Sequence, residues 1–150
     1  MIFSLFWIVF IVFCDQIFKF WLISTLDLYQ SAPLIPGLIQ LTYVQNKGAA
    51  WSLLTGKVNL LMIIAVLAIA YFSWQLYQAR QASKGLRLIY ALIIAGALGN
   101  LIDRLVYGYV IDMFDLMFIQ FPIFNLADMA ICIGMVLLFG HLYLHDEGGQ

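Results

Sequence analysis

The chain has 150 residues, of which 65% are hydrophobic and 10% charged, and its mean hydropathy is +0.99. These values exclude an ordinary soluble domain and predict a protein whose solvent is lipid. The formal net charge of −1, with no basic run in the sequence, argues against nucleic acid as a partner.

Four windows are apolar over the roughly 20 residues that a helix rising 1.5 Å per residue needs to cross about 30 Å of hydrocarbon. In chain order they are residues 2–26, 58–77, 86–106 and 124–144. No Lys or Arg precedes the first window, and no small residue offers a cleavage point, so we expect a permanent span. The sequence therefore predicts an all-α integral membrane protein with four transmembrane helices.

The connection between the first two spans predicts a small β-structure. Pro33, Pro36 and Gly37 break any helix there, and residues 38–44 mix β-branched, aromatic and alternating polar residues in the manner of a strand. We expect an extracytoplasmic β-cradle between helices 1 and 2. Because the sequence contains no repeat and no composition shift, residues 1–150 are predicted to form a single membrane-embedded domain.

Charge in the connections predicts the orientation. The short connection between the second and third spans holds Arg80, Lys84 and Arg87, which the positive-inside rule places in the cytoplasm. Both termini are then cytoplasmic, and the first and third spans run outward. Lys47 and Lys57, in the longer first connection, oppose this orientation.

With that orientation, polar side chains from several segments converge on the outer face of the membrane. A charged side chain inside the bilayer is costly unless it is paired or hydrated, so such a group marks a candidate functional site. The converging residues are Asp15, Lys19, Asn46, Asn100, Asp103, Arg104, Asp112, Asn125 and Asp128.

The pair Asp112 and Asp128 has the chemistry of an aspartyl peptidase. Two close carboxylates share one proton, so that one takes a proton from water while its protonated partner polarises a substrate carbonyl. A purely structural interpretation is also open, in which Asp128 favours the positive end of helix 4, Asn125 caps that helix and Asp112 is a surface turn residue. Asp115 is an alternative second carboxylate. Spacing alone does not choose between these interpretations.

The remaining polar residues predict supporting contacts. Asp15 and Lys19 stand four residues apart, in the order that favours an ion pair on one helix face. Asn100 shares a face with Asp103, and with Arg104 they are expected to hold the outer end of the third span in place.

Small residues on the third span predict close helix packing. They recur every four residues, which places them on one face and lets a neighbouring helix approach. The stripe consists of Ala91, Ala95 and Gly99.

Four sequence blocks, taken in order, resemble the signature blocks of lipoprotein signal peptidase, also called signal peptidase II. They are DQIFK (15–19), NKGAAWSLL (46–54), GNLIDRLVYGYVID (99–112) and FNLAD (124–128). The resemblance implies an aspartyl peptidase of the bacterial inner membrane that needs no metal or cofactor. Its activity would be removal of the signal peptide from prolipoproteins, immediately before a diacylglyceryl-modified cysteine.

The resemblance also implies which residues act. The catalytic aspartates correspond to Asp112 in VID and Asp128 in FNLAD, which favours Asp112 over Asp115. The supporting positions correspond to Asp15, Lys19, Asn46, Gly48, Asn100, Asp103, Arg104 and Asn125. Departures from the family pattern, which leave side-chain preference in the substrate groove open, are Trp51, Tyr109 and Met113.

The expected partners are lipid-modified prolipoproteins and membrane lipid, with no nucleic acid, and we expect a monomer whose active site faces outward. Two alternatives to a peptidase are a proton-coupled transporter and a non-enzymatic membrane chaperone for lipoprotein precursors. The inner halves of the spans are almost free of polar groups, which argues against an ion path. A metal site at His141 and His145, or a hydrolase using Ser52 and Lys57, lacks supporting residues.

Overall fold

A computed structural model describes residues 1–48 and 53–146, with the backbone alone for residues 145 and 146. Four long helices are present, and each is long and apolar enough to cross a membrane. The prediction of four membrane-spanning helices is confirmed, with boundaries that differ by a few residues. The helices are α1 (Ile2–Thr25), α2 (Val58–Gln78), α3 (Lys84–Tyr107) and α4 (Leu126–Asp146).

A three-stranded antiparallel sheet covers one end of the bundle, where α1 and α3 finish and α4 begins; we call it the sheet end. Its strands, in spatial order, are β1 (Ser31–Ile35), β2 (Ile39–Asn46) and β3 (Val110–Leu116). The predicted β-structure between helices 1 and 2 is confirmed by β1 and β2. The third strand was not predicted, because its segment was interpreted as a short connection after the third span.

Helix α3 lies at the centre of the bundle and packs against the other three helices. Two of its glycines make this possible, because a Cβ on Gly96 would collide with the carbonyl oxygen of Ala127, and one on Gly99 would lie 2.6 Å from Oδ2 of Asp15. The predicted stripe is buried, which confirms its role in packing, whereas Gly96 was not part of it. The buried stripe residues are Ala91, Ala95 and Gly99.

An apolar cluster fastens the sheet to the end of α1. Leu22 of α1 and Leu26, which follows the last turn of that helix, pack against side chains of β2 and β3, and Leu22 has no exposed surface. Burial of such side chains stabilises the contact by about 1.5–3 kcal/mol each. The strand members of the cluster are Leu41, Tyr43, Ile111 and Met113. This packing fixes β3 over the polar ends of α1 and α3.

Candidate active site

The structure brings Asp112 and Asp128 to one cavity at the sheet end. Asp112 lies in the middle of β3 and is 2% exposed, whereas Asp128 lies in the first turn of α4 and is half-buried. Both line a cavity of about 510 Å³. Sheet register places Asp112 opposite Val44 of β2, which brings the end of that strand beside it. Two acids on separate elements therefore face the same space.

Three asparagines hold the two carboxyl groups. Asn125 donates from Nδ2 to Oδ1 of Asp112 at 2.7 Å, and Asn46 donates from Nδ2 to Oδ2 of Asp112 at 2.9 Å. Asn100 donates from Nδ2 to Oδ1 of Asp128 at 2.7 Å, and the backbone N–H of Asn125 donates to Oδ2 at 3.2 Å. Every carboxyl oxygen of the pair thus accepts a hydrogen bond, which fixes the orientation of both groups.

The purely structural interpretation of these acids is correct for the cap of helix α4 but not for Asp112. Asn125 and Asp128 form a reciprocal capping box, since the backbone N–H of Asp128 also donates to Oδ1 of Asn125 at 2.8 Å. Asp128 nevertheless keeps one oxygen for Asn100 and lines the cavity. Asp112 is a buried strand residue, so the expectation of a surface turn at that position is wrong.

Burial raises the pKa of Asp112 to about 7, and the nearby carboxylate of Asp128 adds to the rise. Hydrogen bonds from Asn46 and Asn125, and the charge of Lys19, act in the opposite direction. Because the pKa lies near neutrality, Asp112 holds its proton in a large share of molecules at physiological pH. A carboxyl group in that state can donate a hydrogen bond to a substrate oxygen.

A buried charged cluster lies behind the cavity. Lys19 Nζ is 2.8 Å from Oδ2 of Asp15 and 2.8 Å from Oδ2 of Asp103, and it donates to Oδ1 of Asn100 at 3.3 Å. The predicted ion pair between Asp15 and Lys19 is confirmed. Gln16 was not predicted, although it donates from Nε2 to Oδ1 of Asp103 at 2.9 Å. Its position beside Asp15 in DQIFK was the available signal.

Arg104 ties the loop after β2 to helix α3. Its guanidinium donates from Nη2 to the carbonyl oxygen of Gly48 at 3.1 Å and from Nη1 to that of Asn100 at 3.4 Å. Gly48 in turn donates its N–H to Oδ1 of Asn46 at 2.9 Å. Arg104 and Gly48 both line the cavity. Residues 49–52, and Trp51 among them, lie outside the described part of the chain.

Asp115 belongs to a different environment from Asp112, although both are on β3. Its Oδ2 accepts hydrogen bonds from Gln40 at 2.7 Å and from Thr42 at 3.3 Å. It does not line the cavity that holds Asp112 and Asp128, but a second one of about 760 Å³, which shares Asp112 with the first and does not include Asp128. The structure therefore separates Asp115 from Asp128.

Two of the family departures lie away from the cavity. Met113 has no exposed surface and packs in the apolar cluster beneath the sheet. Tyr109 stacks on Tyr107 with ring centroids 5.8 Å apart, and its hydroxyl accepts a hydrogen bond from Gln45 at 3.0 Å. Neither lines the cavity, so both substitutions change the support of the sheet rather than the cavity wall.

The alternative chemistries rest in part on residues that the structure does not describe. Among the side chains of residues 1–48 and 53–144, no three His, Cys, Asp or Glu residues form a group that could hold a metal ion. His141 lies far along α4 from the sheet end, and the side chain of His145 is outside the described part. Ser52 is likewise outside it, while Lys57 is exposed at the start of α2.

Comparisons with known proteins place this geometry in context. The family model of signal peptidase (SPase) II matches residues 7–144. A lipoprotein signal peptidase of Latilactobacillus sakei subsp. sakei (strain 23K) is 41% identical over 133 residues, covering 89% of this chain and 88% of the relative. One of Lactococcus lactis subsp. lactis (strain IL1403) is 42% identical over 125 residues, covering 83% of each.

A solved structure of similar fold is a bacterial membrane enzyme. It superposes with a TM-score of 0.90 at 32% sequence identity, covering 98% of this chain and 91% of the other. A second bacterial membrane enzyme has a TM-score of 0.82 at 34% identity, covering 93% and 91%. The four-helix bundle and its sheet therefore form an architecture that these enzymes share.

Proposed function

The chain belongs to the signal peptidase II family of aspartic peptidases, and we propose that Asp112 and Asp128 are its catalytic pair. The observation that supports this assignment is their convergence on one cavity from separate elements, with Asn125 hydrogen-bonded to both. Asp115, the competing acid, bonds instead to side chains of β2.

The reaction is hydrolysis by one water placed between the two carboxyl groups. The ionised acid takes a proton from the water as its oxygen bonds to the carbonyl carbon, and the protonated acid donates to the carbonyl oxygen. Collapse of the tetrahedral intermediate breaks the C–N bond. The leaving amine takes the proton that the first acid accepted from the water, and the second acid recovers its own proton as the carbonyl group re-forms. We assign the protonated role to Asp112, because it is almost fully buried whereas Asp128 is half-buried, and burial raises the pKa of Asp112 to about 7.

The proposed substrate is a prolipoprotein, cut immediately before a diacylglyceryl-modified cysteine. The cavity wall supports this choice, because it continues from the two acids to Met129, Cys132 and Ile133 on the outer face of α4. Met129 is 39% exposed and Ile133 48% exposed, on a helix that qualifies as a membrane span. A substrate whose scissile peptide bond lies at the two acids could thus keep the acyl chains of its modified cysteine in lipid.

The placement in the cell is also proposed. We place the chain in the bacterial inner membrane, with both termini cytoplasmic and the sheet end outside. The basic residues Arg80, Lys84 and Arg87 lie at the opposite end of the bundle from the sheet, as the positive-inside rule requires. A single domain over residues 1–150 and a monomeric state stay predictions.

A cleavage assay with two matched precursors tests this function. The purified chain is incubated with a diacylglyceryl-modified prolipoprotein and with its unmodified twin, and the new amino terminus is read by mass spectrometry. Cleavage before the modified cysteine, with little cleavage of the twin, is the expected result. Cleavage of both at equal rates would contradict the lipid requirement.

The Asp128→Asn variant separates the enzyme from its rivals in the same assay. It is expected to bind the modified precursor without cutting it. The new Asn side chain still has an oxygen that can accept the capping hydrogen bond from the backbone N–H of Asn125, whereas the carboxylate that accepts the proton is lost. A non-enzymatic chaperone predicts binding without cleavage by the unchanged protein as well. A proton-coupled transporter predicts proton flux in reconstituted vesicles, which Asp128→Asn would abolish.

A further inference from the structure

The charged cluster of Lys19, Asp15 and Asp103 has no place in the proposed reaction. None of the three side chains lines the cavity, and each is at most 1% exposed. These three side chains are therefore not placed to contact a substrate in the cavity. Burying three ionisable groups inside a membrane bundle is costly, so their contacts must serve the structure around the two acids.

Asp15 reaches from α1 to the start of α4. Its Oδ1 accepts a hydrogen bond at 3.0 Å from the backbone N–H of Ala127, the residue immediately before Asp128. A carboxylate at this position also interacts favourably with the positive end of the helix. Gly99 permits the approach, because a side chain there would collide with Asp15 and Ala127. Asp15 thus fixes the backbone that carries one member of the catalytic pair.

Asp103 makes the corresponding contact with β3. Its Oδ2 accepts a hydrogen bond at 3.1 Å from the backbone N–H of Ile111, the residue immediately before Asp112. The same oxygen is 2.8 Å from Lys19 Nζ. The other oxygen, Oδ1, accepts from Gln16. Asp103 thus fixes the backbone that carries the second member of the pair.

Lys19 joins the two halves of this arrangement. Its ammonium contacts Asp15 and Asp103 at equal distance, and it also donates to Asn100, whose amide holds Asp128. Removal of the ammonium would leave two buried carboxyl groups facing each other across α1 and α3. Repulsion between them in a medium of low dielectric constant would then act on both backbone contacts.

We propose that Lys19 is a positioning residue, which sets the separation of Asp112 and Asp128 through the carboxyl groups of Asp15 and Asp103. This inference rests on the proposed function of the two acids and deepens it. A misplacement of about 1 Å between reacting groups can lower a rate on the order of 100-fold. The effect of losing Lys19 therefore falls on kcat, while precursor binding in the cavity is kept.

The principal test is Lys19→Met in the full-length protein, because Met keeps the chain length and apolar stem while removing the charge. For the folded fraction, kcat on the modified precursor is expected to fall about 100-fold, with KM changed by less than about threefold. The matched control is Lys57→Met, an exposed lysine outside the cluster, which keeps both constants. An unchanged kcat, or a raised KM with kcat intact, would overturn the proposal.

Charge balance provides the rescue experiment. Asp15→Asn keeps an oxygen that can accept from Ala127 while removing one negative charge, so Lys19→Met with Asp15→Asn restores the net charge of the cluster. We expect kcat of this double variant to exceed that of Lys19→Met by about tenfold. A double variant whose loss is the product of the two single losses would contradict the proposal.

Two further measurements keep the test decisive. If Lys19→Met does not fold, Asp15→Asn alone is measured, with a fall in kcat of about tenfold and an unchanged KM expected; an unchanged kcat overturns the proposal. Asp112→Asn separates the two levels of inference. Full turnover by Asp112→Asn would end the proposed function, whereas an inactive Asp112→Asn beside a fully active Lys19→Met would end the positioning proposal alone.

Discussion

Helices α2 and α3 are neighbours of nearly equal hydropathy, yet they differ in what they carry. In the most apolar window of α3, 44% of the residues are buried. The corresponding share in α2 is only 11%, and α2 has no charged residue. The catalytic candidates and their supports lie on α1, α3, α4, β2 and β3 or next to the ends of these elements, all of which meet at the sheet end. The helices that carry the polar network are therefore packed tightly against one another, while α2 covers the bundle toward lipid.

The largest expected effect comes from Asp112→Asn, which is paired with Asp115→Asn on the same strand. Loss of the proton donor is expected to lower kcat about a thousandfold or more, because general acid–base catalysis contributes on the order of 10²–10⁴. Asp115→Asn leaves kcat within about threefold, since that side chain bonds only to β2 in the part of the chain described. Steady-state cleavage of the modified precursor measures both. Equal losses would remove the distinction between the two acids.

A substitution at the contact between α3 and α4 tests the comparison of the helices directly. Gly96→Leu forces a side chain against the backbone of Ala127 and displaces the start of α4, so cleavage by the folded fraction is expected to fall about 100-fold. Ala70→Leu also introduces a leucine, but on the exposed face of α2, and is expected to leave cleavage unchanged. Full activity of Gly96→Leu would show that the helix contact does not position Asp128.

The smallest effect is expected from Asn46→Ala, and it appears in the pH profile. The protonated partner is lost as pH rises through the pKa of Asp112, so activity of the unchanged protein declines above about pH 7. Asn46 stabilises the ionised form, so its removal raises that pKa and moves the decline to higher pH. The lost hydrogen bond is expected to lower kcat about tenfold. A decline that moves to lower pH would contradict the role given to Asn46.

The helices were predictable because hydropathy over about 20 residues is a local property of the sequence. The ion pair of Asp15 with Lys19 followed from helical periodicity in the same way. Strand β3 was not predictable in this way, because its seven residues, VIDMFDL, carry two acids. They gain strand structure only by pairing with β2, which lies more than sixty residues away in the sequence. Tertiary context decided that segment.

The candidate site was predicted as a set of residues but not as a set of contacts. Sequence spacing placed Asp15 and Asp103 near one membrane face, yet it could not reveal that each accepts a bond from the residue preceding a catalytic candidate. Gln16 was missed because an amide in an apolar helix carries no charge pattern. The choice of Asp112 over Asp115 came from family resemblance, and the separate environments of the two acids support it.

The most direct test of the account is whether Asp112 and Asp128 act as one unit on one water. Single-turnover cleavage of the modified precursor, with enzyme in excess, is measured for Asp112→Asn, Asp128→Asn and the double variant. Residues that work as a unit give non-additive losses, so the account predicts a double variant within about threefold of the slower single variant. Losses that multiply, so that the double variant is about a thousandfold slower than either single variant, would contradict it.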